Sequence, residues 1–192
     1  MSATKSRHFT IRFSNRRIYR IFSPSRAFDH ARANPDGYGA VFGRAMSGFS
    51  AIQSAWVLEA LRDYDFSSVA TWCDVGGGHG HLMCSLLAAY PHLSGTVLDL
   101  PEVIGETDQL WAGRFGLEER CQYLAGDMFE EVPSDADVYS LKMILHDWNN
   151  SECTQILQRS ASGRNRVAAF SSSSTSCQVR LSRISRNSSI ST

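Results

Sequence analysis

The chain has 192 residues, 43% of them hydrophobic, with 19 basic and 19 acidic side chains and a formal net charge of zero. One core of ordinary size is the expectation, and a general polyanion binder is excluded, so no nucleic-acid partner is expected. No stretch approaches the roughly 18 apolar residues of a membrane span, and none of the five cysteines forms a C-x-x-C pair, which points to a soluble, cytoplasmic protein without a structural zinc.

Residues 1–27 hold seven Lys or Arg and no acid. Such a segment reads as a transit peptide, a basic patch or a poorly ordered remnant. Then Phe42, Met46, Phe49, Ile52 and Trp56 recur at helical spacing, which predicts a long amphipathic helix between Asp36 and Asp63. "VATWCDV" is a short buried strand, followed by Gly76, Gly77, Gly78 and Gly80 and by the helical pattern of "HLMCSLLAAY" up to Pro91. "SGTVLDL" reads as a second strand, "EVIGETDQLWAGRFG" as a helix, "CQYLAGDMF" as a third strand with its turn and "ADVYSLKMIL" as a fourth. "NNSECTQILQRSAS" opens another helix. Strands alternating with helices predict a doubly wound, mostly parallel α/β sheet that binds its ligand at the strands' carboxyl ends. From Ser160 to Thr192, twelve of thirty-three residues are serine, and no acid follows Glu152. The stretch 171–192 is therefore expected to be a disordered tail, outside a domain of residues 28–170.

The four glycines after the first strand bring backbone N–H groups and a helix N-terminus to face a ligand. A dinucleotide fingerprint fails at His81, where its last small residue would stand, and no Gly-Lys-Ser or Gly-Lys-Thr follows for a P-loop. A nucleoside fits better than a pyrophosphate. Asp99, ending the second strand, stands where a carboxylate accepts ribose hydroxyls. Ordinary tight-turn glycines and a helix-capping Asp99 are the plainer readings. His79 and His81 form an H-x-H pair that could start a metal site, with Asp99 or Asp127 as third ligand, in a metal-dependent hydrolase.

"DVGGGHG", "VLDLPEV", "AGDMFEEVP" and "LKMILHDWNNSEC" occur in the order and near the spacing of the S-adenosylmethionine-dependent O-methyltransferases of small hydroxylated molecules. The chain resembles this family, the caffeic acid, acetylserotonin and bacterial polyketide type, from about Phe28 to about Ser160. The resemblance implies a Rossmann-like class I methyltransferase sheet, S-adenosyl-L-methionine as cofactor, no metal, and methyl transfer to a hydroxyl of a small aromatic or polyketide-like molecule in secondary metabolism. It implies that the glycine loop from Asp74 through Gly76 and Gly78 holds the methionine portion. Asp99 would take the ribose hydroxyls, Asp127 the adenine amino group, Met128 the ring, and Lys142 and Ser50 would contact the cofactor. His146 matches the general base, Asp147 orients substrate, and Phe42 and Met46 line the acceptor pocket. On independent grounds, transfer to a hydroxyl needs an in-line nucleophile and a base working near neutral pH, and an imidazole supplies the latter.

The resemblance also implies a homodimer, through an N-terminal domain of which this chain keeps at most a fragment. It further implies a fifth strand ending in a Glu that supports the histidine. "NRVAAF" matches the start of that strand, but "SSSS" follows. That pattern predicts a reading frame lost near Ser160 or a mispredicted gene end, and an incomplete sheet whose fourth strand is an exposed apolar edge; the alternative to an active methyltransferase is then a truncated fold that at best binds the cofactor.

Overall fold

The computed structural model describes residues 30, 33–34, 37–38, 40–160, 166–173 and 176–183, with the backbone alone for 40, 42–44, 46–47 and the last two stretches. The basic leader lies outside these residues. The first regular element is a 22-residue helix, α1 (Ala40–Leu61). It is followed by β1 (Thr71–Val75), α2 (His81–Ala89), β2 (Ser94–Asp99), α3 (Pro101–Ile104) and α4 (Trp111–Phe115). The chain continues through β3 (Cys121–Ala125), β4 (Val138–Lys142), α5 (Asn150–Ser160), β5 (Arg166–Ser173) and β6 (Ser176–Arg183).

The strands form one sheet in the order β3-β2-β1-β4-β5-β6. All neighbours are parallel except β5 and β6. This is the doubly wound α/β architecture expected from the alternating pattern, and strand order reverses between β1 and β4, where a crevice opens at the carboxyl ends. Alternation along β1 assigns its side chains to opposite layers. Trp72 joins Val57, Leu61, Leu82, Met83, Leu86 and Leu87 beneath α1 and α2, whereas Cys73 and Val75 join Leu98, Tyr139, Leu141 and Ile156 on the α5 side. At the opposite, amino end, the Asp137 carboxylate before β4 accepts the N–H groups of Ala70 and Thr71 at 2.8 and 3.0 Å, pinning β1 to its neighbour. Among the described residues no helix is long and apolar enough to cross a membrane.

Four expectations need correction. The sheet does not end at β4: β5 pairs with it along the whole length of β4, Val138 with Arg166 through Lys142 with Phe170, and so covers the edge expected to be exposed. Residues 171–173 complete β5 and 176–183 form β6, where an unpacked tail was expected. Ladder bonds are made by the main chain, and a serine-rich segment without apolar periodicity makes them as well as any other. The segment after β2 is not one helix but α3, a short 3-10 turn at Thr107–Gln109 and α4, separated at Gly105 and Leu110 and ended by Gly116 with φ 64°. Finally, the apolar stripe of α1 does not mark its core side: Ile52 is 54% and Trp56 42% exposed, while Gln53, Ser54, Val57 and Leu61 are buried.

Candidate functional site

The glycine run occupies the loop between β1 and α2, at the crevice. Gly76, Gly78 and Gly80 have φ of 67°, 59° and 86°, a region that side chains with a Cβ rarely adopt. Their surroundings differ in kind. A Cβ on Gly76 would come 2.3 Å from Ile144 Cδ1, and one on Gly77 2.7 Å from Asp74 Oδ2, so these two make room for the protein itself. A Cβ on Gly80 would stand 2.6 Å from the Tyr123 hydroxyl, which donates to His79 O at 3.0 Å and accepts the Ala112 N–H at 3.2 Å. A Cβ on Gly78 would meet nothing within 4 Å among the described residues, which leaves that face of the loop open to a ligand.

Two carboxylates, Asp74 and Asp99, meet this loop, and a third, Asp127, follows β3. Asp74, fully buried at the end of β1, accepts the Ser140 hydroxyl on Oδ1 at 2.5 Å, and Ser140 in turn accepts the Trp72 indole N–H at 2.9 Å. Among the described residues its buried Oδ2 has no hydrogen-bond partner. Burial pushes the Asp74 carboxyl up to about 6, against the Ser140 bond and the Lys142 charge, which both lower it. Asp99 holds the loop in place: Oδ2 accepts the Gly78 N–H at 2.7 Å and Oδ1 the Leu100 N–H at 2.8 Å. Burial raises its carboxyl too, opposed by those two bonds. Each oxygen keeps a second lone pair. Asp127, just after β3, spends Oδ1 on the Phe129 N–H at 2.8 Å, and its carbonyl accepts from Glu130 and Glu131. Met128 beside it packs on the cluster of Leu98, Tyr139 and Leu141. Carboxylates in this number repel a pyrophosphate and suit a ligand with an amine and hydroxyls.

At the end of β4, Lys142 donates to Ser50 Oγ at 3.1 Å and to Gln53 Oε1 at 3.4 Å, both on α1. The buried face of α1 is therefore polar where it overhangs the crevice. Next comes Met143 with φ 60°, a left-handed backbone outside glycine that commonly marks functional turns. The 3-10 turn Leu145–Asp147 follows, with His146 Nε2 3.2 Å from Asp147 Oδ1 and both side chains partly exposed. Burial raises the Asp147 carboxyl and His146 lowers it. Phe42 and Met46 fall within α1, but their side chains lie outside the described residues.

The H-x-H pair is divided between two sets of partners. His79 Nε2 meets Glu106 at 2.9 Å, while His81 turns to Ser54 Oγ at 3.1 Å and stands edge-on to Trp111 and Phe115. Among the described residues no three His, Cys, Asp or Glu side chains come together to hold a metal ion. Gln53, Ser54, Ser140 and Tyr123 were not foreseen at the site. The usable signals are a polar pair inside an apolar helix and a serine inside the buried strand "VYSLK".

A model of the O-methyltransferase domain family matches residues 11–165. The mitomycin biosynthesis 6-O-methyltransferase of Streptomyces lavendulae is 46% identical over 121 residues, 63% of this chain and 34% of that protein. Among solved structures, the mitomycin 7-O-methyltransferase MmcR superposes with a TM-score of 0.66 at 39% identity, covering 75% of this chain and 42% of its own. An O-methyltransferase of neocarzinostatin biosynthesis, solved with S-adenosyl-L-homocysteine and 1,4-dihydroxy-2-naphthoic acid, superposes with a TM-score of 0.60 at 30% identity, covering 74% and 42%. The chain spans about a third of the length of the curated relatives it matches.

Proposed function

The chain belongs to the O-methyltransferase domain family, and from that premise we propose that its protein transfers a methyl group from S-adenosylmethionine to a hydroxyl oxygen of a small aromatic or polyketide-like acceptor, without a metal and with His146 as general base. The observation that carries this reading is the buried, unpartnered Asp74 Oδ2 behind a glycine loop whose Gly78 face is open. An acceptor left without a donor in a low-dielectric site is costly unless a ligand supplies one, and a cationic amine is the natural donor.

S-adenosylmethionine supplies a methyl group on a positively charged sulfur, together with an ammonium, ribose hydroxyls and an adenine. In this reading Asp74 and the loop N–H groups hold the methionine end, and Ser50 and Lys142 close over it. The remaining lone pairs of Asp99 take the ribose hydroxyls, Asp127 takes the adenine amino group, and Met128 lies against the ring. Phe42 and Met46 line the acceptor pocket. His146 removes the proton from the acceptor hydroxyl as it attacks, which converts a poor nucleophile into an oxyanion-like one. Asp147, 3.2 Å from Nε2, orients the ring and stabilises the imidazolium that forms. A homodimer and a cytoplasmic location are proposed for the whole protein.

Calorimetry with S-adenosyl-L-homocysteine, followed by methyl transfer to 1,4-dihydroxy-2-naphthoic acid, tests the reading. Binding and transfer are expected, and the absence of binding overturns the cofactor assignment. Binding without transfer favours a second reading, a fold that holds the cofactor alone. Its specific support is that β5 ends at Ser171–Ser173 and no acid follows Glu152, so that strand offers His146 no carboxylate.

A further inference from the structure

His81 ends the glycine loop and begins α2, and its hydrogen bonds cross to α1. Ser54 Oγ, on α1, donates its proton to Ser50 O at 2.8 Å, and Ser85 Oγ donates to His81 O at 2.8 Å. With both hydroxyl protons spent on carbonyls, each oxygen can only accept from the imidazole nitrogen that faces it. That nitrogen is Nδ1, 3.1 Å from Ser54 Oγ and 3.4 Å from Ser85 Oγ. The network thus requires the proton on Nδ1. The ring is fixed from its sides by Trp111 and Phe115, at centroid distances of 4.6 and 5.9 Å. Burial, and after it the Lys142 charge, holds the imidazole below the usual histidine range, so the neutral tautomer is kept at neutral pH.

The two helices joined here carry opposite sides of the site. Helix α2 follows directly from the loop, and α1 carries Ser50, which Lys142 grips from β4 at 3.1 Å. We infer that His81 is a positioning residue whose Nδ1–H bolts α1 to the start of α2, so that Ser50 and the Gly76–Gly80 loop face the cofactor together. The inference rests on the cofactor reading of that loop. It also gives a role to a histidine that the methyl-transfer chemistry leaves unused.

The test uses the whole chain and S-adenosyl-L-homocysteine as probe. Asparagine can place an N–H near the position of Nδ1 and leucine cannot, so His81→Leu is expected to weaken binding roughly three- to tenfold and His81→Asn to recover most of that loss. Ser54→Ala removes the acceptor from an α-helix at no propensity cost. It should weaken binding by the same factor, and His81→Leu combined with Ser54→Ala should be no weaker than either alone. Imidazole nitrogen NMR of the wild-type chain should show Nδ1 protonated and Nε2 not. Unchanged binding in Ser54→Ala and His81→Leu, or a proton found on Nε2, overturns the inference and leaves the cofactor reading standing. A wild-type chain without affinity for the probe overturns both. Were His81→Leu to misfold, Ser54→Ala and the tautomer still decide.

Discussion

Lys142 at the end of β4 and Ser50 in the middle of α1 are 92 residues apart in sequence and meet through a hydrogen bond of 3.1 Å from Nζ to Oγ. One ammonium thus ties the sheet's central crevice to the helix above it, and its charge is also one of the two influences that hold the Asp74 carboxyl down. Lys142→Met should therefore do two things at once. Affinity for S-adenosyl-L-homocysteine should fall about tenfold with the lost anchor. The pH at which that affinity develops should rise, because Asp74 ionises later without the neighbouring cation. Calorimetry at several pH values reads both effects, and an unshifted pH profile contradicts the second.

Asp74 makes the unliganded chain sensitive to pH in an unusual direction. Its carboxyl is raised from 3.8 to about 6, so the folded state prefers the protonated form more than the unfolded state does. Its contribution to stability is therefore fully present below about pH 4 and is lost as pH rises through about 6. Thermal unfolding of the wild type and of Asp74→Asn should show this component only in the wild type. Binding of an ammonium-bearing ligand should show the opposite trend, tightening as pH rises through about 6, and Asp74→Asn should remove that trend.

Adjacent glycines should separate fold from ligand. Gly77→Ala brings a Cβ to 2.7 Å from Asp74 Oδ2 and 2.9 Å from Val97 Cγ1, overpacking that typically costs about 1–3 kcal/mol. Gly78→Ala meets nothing within 4 Å and is penalised mainly through its φ of 59°, by about 1–2 kcal/mol. Gly77→Ala should lower the melting temperature more, while Gly78→Ala should lose more probe affinity for each degree of melting temperature lost. Equal ratios would mean that the open face of Gly78 is not the ligand's side.

His146→Gln should lower kcat by about 10² to 10⁴ and leave the affinity for S-adenosyl-L-homocysteine unchanged, as expected of a proton acceptor that does not hold the cofactor. Asp147→Asn should lower kcat less, because the imidazole survives and only its orientation is weakened. Steady-state kinetics on an accepted phenol, with calorimetry alongside, separates the two.

The strands and the loop were legible because their signals are local. "TWCDV" before four glycines and "LKMILHDW" after a buried run each carry their own punctuation, and Asp74, Asp99, Asp127 and Lys142 all stand at strand ends as the alternation requires. Helix α1 was misread in its facing, since Gln53 and Ser54 are buried and Ile52 is not. Periodicity locates apolar residues, whereas this helix turns its polar side toward Lys142 and His81. The serine end of β5 and its pairing with β6 escaped for a related reason. Their main-chain ladders leave no trace in a run of serines.

Gly80 lacks a methyl group where the Tyr123 hydroxyl needs space, and that hydroxyl holds both the loop carbonyl of His79 and the amide of Ala112. The two positions, on different elements, are therefore not free to drift apart in evolution. Among homologues, a residue larger than glycine at the position of Gly80 should be accompanied by loss of the tyrosine at the position of Tyr123, and the tyrosine should persist only beside the glycine. The loop thus has two selective pressures written into five residues, one from whatever lies on its open face and one from the strand behind it.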